Sequence, residues 1–440
     1  MPQEGLIKLI SAANESFSNF TTRHRFIVAY GIIIVSSLFL LPELNAEMRG
    51  DVVVFQGIAN DLFNGTLPYR DRVVEYPPYA IPIFLLPRLF GEANYLDGFL
   101  SLAFIADWLV KLSLFSIGFR QSKTARALLP LLLYCAAVPF IHFFYLQRYD
   151  IWPALISLLA VWLFSSKHYV ASGLAVAIGI GVKLYPVLFV PPLLVLALRQ
   201  GNAKRFTAGL AFGLLPMGLL SFYLPWWRFA EFQTARGLQV ESLYAAVVWL
   251  GNLLGFNEAH WTYTNKWYEV HGPLATAILP WARGLFIAGV GGSTLIAVRA
   301  AAKLQNVSAP LIARLLLIPL LAFVALNQVL SPQYMIWLLP LAALGSLEGK
   351  PWALGAISLA TMLTPLFYPV PDYYHPGLNL VETIILLCRD FILIAVWVSL
   401  IRESFQKMRL NLTTNIAANG DERISETTAL DFETHRGIGG

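Results

Sequence analysis

Apolar runs recur along this chain too often, and at too great a length, for a soluble core to absorb them. A membrane-spanning helix needs roughly 20 apolar residues, and shorter ones are tolerated inside a bundle. Runs of that kind fall at 26–42, 96–119, 127–146, 151–165, 169–182, 186–198, 206–224, 273–298, 309–327, 334–346, 351–368 and 380–401. Hydrophobic residues make up 57% of the 440 residues and charged residues 13%. A soluble chain carries roughly twice that charge fraction. The expected fold class is therefore all-α, a polytopic transmembrane bundle of about 12 helices. Several runs are short and flanked by proline, which predicts tilted or broken helices with protein neighbours to satisfy their backbones.

Lysine and arginine orient the bundle. Arg23 and Arg25 precede the first run, Arg120, Lys123 and Arg126 share one loop, Lys167 sits in another, and Arg199, Lys204 and Arg205 in a third. Arg299 and Lys303, then Lys350, then Arg402, Lys407 and Arg409 complete the series. With the spans above, all fall on one side, which the positive-inside rule makes the cytoplasm. This assignment requires that Tyr76–Gly91, a short apolar stretch with four prolines and Arg88, lies in the outer interface and does not span.

Residues 1–25 are then a cytoplasmic N-terminal segment, 26–401 the transmembrane domain, and 402–440 a polar, disordered cytoplasmic tail. The first run lacks a small-residue cleavage site after it and reads as a retained helix. The net charge of +5 reflects cytoplasmic loops, and no clustered basic face suggests nucleic acid. Cys135 and Cys388 lie in apolar runs and are expected to be buried free thiols. Asp107 and Lys111, four apart, are expected to pair on one helix face. The adjacent Arg389 and Asp390 should need separate partners. Gly173, Gly179 and Gly181 read as close-packing positions between helices.

With orientation set by charge alone, the unusual polar clusters all land outside. They are Arg49-Gly50-Asp51 with Asp61, Asp71, Arg72 and Glu75-Tyr76-Pro77-Pro78; Gln147-Arg148-Tyr149-Asp150; Lys183-Leu184-Tyr185-Pro186; Arg236 to Ser242 with His260 and His271; and Asn327 to Tyr334. Ionisable groups in tight turns at helix ends are costly unless they line a watery cavity. Five such clusters on one face imply one shared outer cavity holding carboxylates and cations. An anionic, amphiphilic ligand whose tail stays in lipid suits it, and a lipid phosphate with a polar head is such a ligand.

Each residue also has a plainer reading. Asp51 precedes Val-Val-Val-Phe and suits a helix N-cap. Glu75 could pair with Arg72, and Arg148 with Asp150. Lys183, Arg148 and Arg236 could be snorkelling anchors, a reading weakest for Lys183, which lies outside against the positive-inside trend. Tyr185, Gln333 and Tyr334 fit an interfacial belt, as do Trp226 and Trp227. His260 fits a solvated loop.

Gly50-Asp51 through Glu75-Tyr76-Pro77-Pro78, Lys183 to Pro186, Arg236 to Leu243 and Asn327 to Pro340 together resemble glycosyltransferase family 87 of the GT-C superfamily. The resemblance spreads over most of residues 26–400. It implies a multi-span enzyme with its active site at the extracytoplasmic face. The donor would be a polyprenyl-phosphate-linked sugar, with mannose the expected sugar, and the acceptor a glycolipid or glycan in membrane lipid. The family's catalytic acid in the first outer loop corresponds to Asp51. In a bacterial host the membrane would be the plasma membrane, with both termini cytoplasmic.

Transfer from a sugar phosphate needs a base for the acceptor hydroxyl and cations for the leaving phosphate. One carboxylate suffices for an inverting displacement, because phosphate leaves without an acid. The resemblance tips Asp51 towards the base, with Glu75 the second candidate. Lys183, Arg148 and Arg236 are the candidates for the phosphate, since arginine grips phosphate bidentately and lysine acts as a point charge. Asp150 shares their turn-side cluster, Tyr185, Gln333 and Tyr334 could bond sugar or phosphate, and His260 could assist. No His/Cys/Asp set has metal-ligand spacing and no cofactor is expected, although the resemblance leaves room for a divalent metal. The rival reading, a lipid or glycolipid transporter or flippase, predicts repeat symmetry and midplane charge. No repeat is visible, and the polar groups gather at one face.

Overall fold

The computed structural model of the chain describes residues 22–45, 47, 50–231, 236–264, 267–304, 307–349, 351–367 and 378–406. The segment before Thr22, Arg49, Lys350 and the expected tail beyond Gln406 lie outside the described residues. The described chain is almost entirely helical, as the apolar patterning requires. Its main helices are α1 (Thr22–Leu38), α2 (Asp51–Phe63), α3 (Ala80–Leu85), α4 (Tyr95–Gln121), α5 (Leu129–Ala137), α6 (Ile151–Ser165), α7 (Tyr169–Val182), α8 (Val190–Arg199) and α9 (Ala203–Leu220). They continue with α10 (Leu243–Leu253), α11 (Pro273–Ala301), α12 (Ala309–Ala325), α13 (Tyr334–Gly345), α14 (Pro351–Leu363) and α15 (Leu380–Gln406).

Among the described residues, four helical segments are long and apolar enough to cross a membrane by themselves: Thr22–Asn45, Tyr95–Gln121, Pro273–Ala301 and Leu380–Gln406. The other apolar helices run to 10–17 residues. Their shortness follows from position. α12 and α13 are buried nearly all round, so neighbours, not lipid, surround them. The internal prolines Pro319 and Pro340 are tolerated there. Large exposed apolar side chains instead stud the long helices: Phe26, Ile27 and Tyr30 on α1, Trp281, Leu285 and Ile287 on α11, Phe391 on α15. That is the surface a bilayer would cover.

Lipid is as apolar as leucine, so helices in a membrane associate through close packing and polar contacts. The α7–α9 pair uses the first device. A Cβ on Gly173 would collide with the Phe206 carbonyl oxygen, and one on Gly209 with that of Val170. Gly181 meets the ring of Tyr79, just before α3, instead of a second spanning helix. The second device lies deeper. Lys111 Nζ reaches Asp107 Oδ2 at 2.6 Å with both side chains wholly buried, as their four-residue spacing predicts. Tyr134 and Tyr145 donate to Asp107 Oδ1 at 3.1 and 2.9 Å, and Lys111 donates to Ser37 at 3.0 Å.

Two expectations need correction. Arg389 and Asp390 pair with each other, Nε to Oδ1 at 2.8 Å and both fully buried. Arginine is long enough to curl back to its neighbour, and a buried charge cannot wait for a distant partner. Cys135 is buried but Cys388 is exposed, because an apolar run in a membrane protein has a lipid-facing side. The segment between α9 and α11 also folds a small antiparallel sheet of β1 (Leu238–Gln239), β2 (His260–Thr264) and β3 (Trp267–His271), in the order β1-β3-β2. His260 pairs with His271 and Leu238 with Val270. The aromatic run Trp261-Thr-Tyr-Thr and Trp267-Tyr-Glu-Val carried the strand signal.

Candidate active site

The segment between α1 and α4 is tied down at both ends. α2 begins at Asp51 behind Gly50, whose φ of +60° suits glycine. No side-chain cap bond forms at this helix start, so Asp51 is the first helical residue and does not act as the N-cap. It lies at the positive end of the helix dipole. Farther along α2, Asn60 accepts from Arg88 Nε at 2.9 Å, and Arg88 also pairs with Glu92 at 2.8 Å. These contacts pin α2 to the Tyr76–Gly91 stretch, which forms α3 followed by a 3-10 turn at Leu86–Phe90. The Glu75–Pro78 motif docks on the end of α7: Tyr79 N–H donates to the Gly181 carbonyl at 2.8 Å.

The five polar clusters meet around one cavity of about 640 Å³. Asp51, Glu75, Arg148, Lys183, Tyr185, Arg236, Gln333 and Tyr334 all line it. Two residues singled out from the sequence do not. Asp150 is buried behind Lys183, and His260 sits exposed on β2, its ring centroid 5.6 Å from that of His271. Phe286, Ile287 and Phe323, from α11 and α12, supply an apolar wall.

The ion pairs cross between clusters. Asp51 pairs with Arg148, Glu75 with Arg236 at 3.6 Å, and Asp150 with Lys183 at 2.7 Å. The neighbouring pairings suggested by sequence proximity do not form, and Arg72 pairs with Asp61. Lys183 is held on further sides. Its Nζ lies 4.5 Å from the Tyr149 ring centroid and 5.0 Å from that of Trp337, a cation–π arrangement. Trp337 Nε1 donates to the same Asp150 Oδ1 at 2.7 Å. Tyr334 and Tyr185 stack on Trp337 at 4.0 and 4.7 Å. Tyr185 spends its hydroxyl on Ser157 at 2.9 Å, so it offers the cavity only its ring.

The Arg236–Ser242 and Asn327–Tyr334 stretches form the opposite wall. Gln239 N–H donates to the Gln328 carbonyl at 3.0 Å, and the Gln239 and Ser331 side chains bond at 3.1 Å. Arg283 of α11 donates to Gln328 Oε1 at 3.1 Å and to the Arg236 carbonyl at 3.3 Å. It adds a fourth cation to the lining, which a lone arginine inside an apolar run could have signalled. Tyr76 packs edge-on against Phe55, Phe84 and Tyr149, and burial raises its phenol well above the ordinary range.

Glu241 also lines the cavity. Its side chain is 2% exposed, and among the described residues its Oε2 has no hydrogen-bond partner. Burial raises its carboxyl to about 7, against smaller lowering effects of its own backbone amide, Arg389, Gln239 and Arg148. In the sequence it is one acid among several in a polar loop. Among the described residues, no group of three or more His, Cys, Asp or Glu could hold a metal ion.

Residues 75–252 match the family model of glycosyltransferase family 87. The match takes in Glu75, Arg148, Lys183, Arg236 and Glu241 and leaves both Asp51 and the Asn327–Pro340 stretch outside it. A comparison with curated proteins finds no match.

Proposed function

As a membrane glycosyltransferase of family 87, this chain, we propose, moves a hexose, mannose first among the candidates, from a polyprenyl-phosphate donor to a lipid or glycan acceptor at the extracytoplasmic face. The observation carrying this reading is the cavity's composition. A carboxylate at the start of α2 shares it with Arg148, Lys183, Arg236 and Arg283, and an apolar wall of Phe286, Ile287 and Phe323 stands beside them. A sugar phosphate on a prenyl chain needs that combination of charge and grease.

In this reading Asp51 is the base. It takes the proton of the acceptor hydroxyl as that oxygen attacks the anomeric carbon. The bond from that carbon to the phosphate oxygen breaks, and its electron pair leaves with the lipid phosphate. Cations stabilise the charge that develops there. Lys183 and Arg236 are the residues assigned to the phosphate. Arg148 orients Asp51 through their ion pair, and Glu75 orients Arg236. One base and one displacement give inversion at the sugar.

The test is transfer of labelled sugar in membranes overexpressing the protein, supplied with polyprenyl-phosphate-[¹⁴C]mannose and host lipid extract. A new labelled glycolipid that disappears with Asp51→Asn supports donor, reaction and base together. Silence with mannosyl, glucosyl and arabinosyl donors alike sinks the reading.

A further inference from the structure

The cavity holds more acid than an anionic ligand should tolerate. Asp51 and Glu75 are each matched to an arginine. Glu241 sits with them, buried, with Oε2 facing no hydrogen-bond partner among the described residues. Burying a carboxylate whose hydrogen bonds, here from Gln239 and its own backbone amide, leave one oxygen without a partner favours the protonated form. The charged and titratable groups acting on it are Arg148 and Tyr334 at the cavity and Arg389 from α15. Arg389 bonds Asp390 and the Glu241 backbone carbonyl, and its Nη1 has no hydrogen-bond partner among the described residues. On the neighbouring strand, Glu269 turns to the Gly237 amide at 2.7 Å. Arg148 is committed to Asp51.

We propose that Glu241 enters the reaction as a neutral carboxyl that donates a hydrogen bond to the anionic sugar-phosphate donor, so that donor binding is coupled to the proton Glu241 carries. The inference rests on the transferase reading above. Two carboxyls in one cavity then divide the work by environment: Asp51, on an arginine and a helix N-terminus, accepts a proton, while Glu241, in a buried wall, offers one. Glu241 keeps its proton throughout, so it neither adds to nor alters the proton balance of the transfer. The ionised form would place a third negative charge beside the phosphate. Its buried carboxyl, poised about 7, makes that penalty appear within an accessible pH range.

The experiment measures binding of polyprenyl-phosphate-mannose, without acceptor, to the full-length protein across roughly pH 5.5 to 8.5. The donor is a phosphodiester, with no group of its own titrating in that range. The wild type should lose affinity by up to about tenfold per pH unit above neutrality, and Glu241→Gln should lose that slope. Calorimetry of the wild type in two buffers of different ionisation enthalpy should show a proton taken up on binding at alkaline pH, a result that requires no variant. A flat wild-type profile, no proton uptake, or an unchanged slope in Glu241→Gln overturns the proposal while leaving the transferase reading intact. Absence of donor binding at every pH overturns both.

Discussion

Arg148 pairs with Asp51, at the start of α2, and leaves Asp150, two residues along its own turn, to Lys183. The crossing joins the segment between α1 and α4 to the turn before α6 and presents a carboxylate already matched to a cation. Asp51→Asn should lower transfer by about 10²–10⁴-fold, the usual contribution of a general base. Arg148→Met should cost activity while leaving the helix start intact, and Arg148→Lys should recover only part of it, since lysine cannot hold a carboxylate bidentately. Turnover of labelled donor measures all three. Full activity in Asp51→Asn removes it as the base.

Glu241 makes a prediction about stability as well as binding. Its ordinary value is 4.5 and its folded value is raised to about 7 by burial. Below 4.5 folded and unfolded chains both hold the proton. Between 4.5 and 7 only the folded chain does, so the unfolded state binds fewer protons and stability falls as pH rises. Above 7 the loss is complete and the curve levels. Thermal melting of purified protein should show this decline, and Glu241→Gln should flatten that part of it. Equal slopes in the two proteins would exclude a buried, protonated Glu241.

The Asp107–Lys111 pair is fully buried and tied to two tyrosines and Ser37. Removing one partner leaves an uncompensated charge, a loss of about 3–5 kcal/mol. Lys111→Met should therefore lower the melting temperature sharply, and adding Asp107→Leu should restore part of it. A single variant as stable as the wild type would show that water reaches the pair.

Much of this architecture is legible in the sequence, and the reason is periodic and chemical. Apolar length marks the helices, and charge in short turns marks the cavity wall, so Asp51, Glu75, Arg148, Lys183, Arg236, Gln333 and Tyr334 emerge as lining residues. Pairing was not legible. Arg148 stands two residues from Asp150 in the chain, yet three-dimensional placement gives it Asp51. Arg389 shows the converse: adjacency on a helix suggested divergence, and side-chain length defeated it. Glu241 escaped notice because its significance lies in burial, which a polar loop does not advertise. His260 was drawn in by its chemistry, but it lies on a hairpin outside the cavity lining.

The α7–α9 contact should transmit damage to the site. Lys183 follows directly on α7, its N–H still bonded to Gly179 at 2.8 Å. A Cβ at Gly209 meets the Val170 backbone, so Gly209→Leu must push the two helices apart. We expect a lower melting temperature together with a raised donor KM. A variant that melts earlier but keeps the wild-type KM would show that the end of α7 is held by its contact with Tyr79 instead.

Trp337 tests how Lys183 is held. Its Nε1 and Lys183 Nζ both bond Asp150 Oδ1, each at 2.7 Å. Two effects oppose each other at this point. Asp150 competes with a phosphate for Lys183, yet it also fixes the lysine where a phosphate can meet it. Lysine carries about 2 kcal/mol of rotamer entropy, and Asp150 is 1% exposed, so an unfixed Lys183 would have to be reordered by the donor itself. Trp337→Phe keeps the stacking partner of Tyr185 and Tyr334 but deletes a hydrogen bond to a charged group, worth about 1.5–3 kcal/mol. If positioning dominates, donor KM rises roughly tenfold or more with kcat changed much less, and Asp150→Asn exceeds it. If competition dominates, Asp150→Asn lowers KM, and Asp150 restrains Lys183 instead of positioning it.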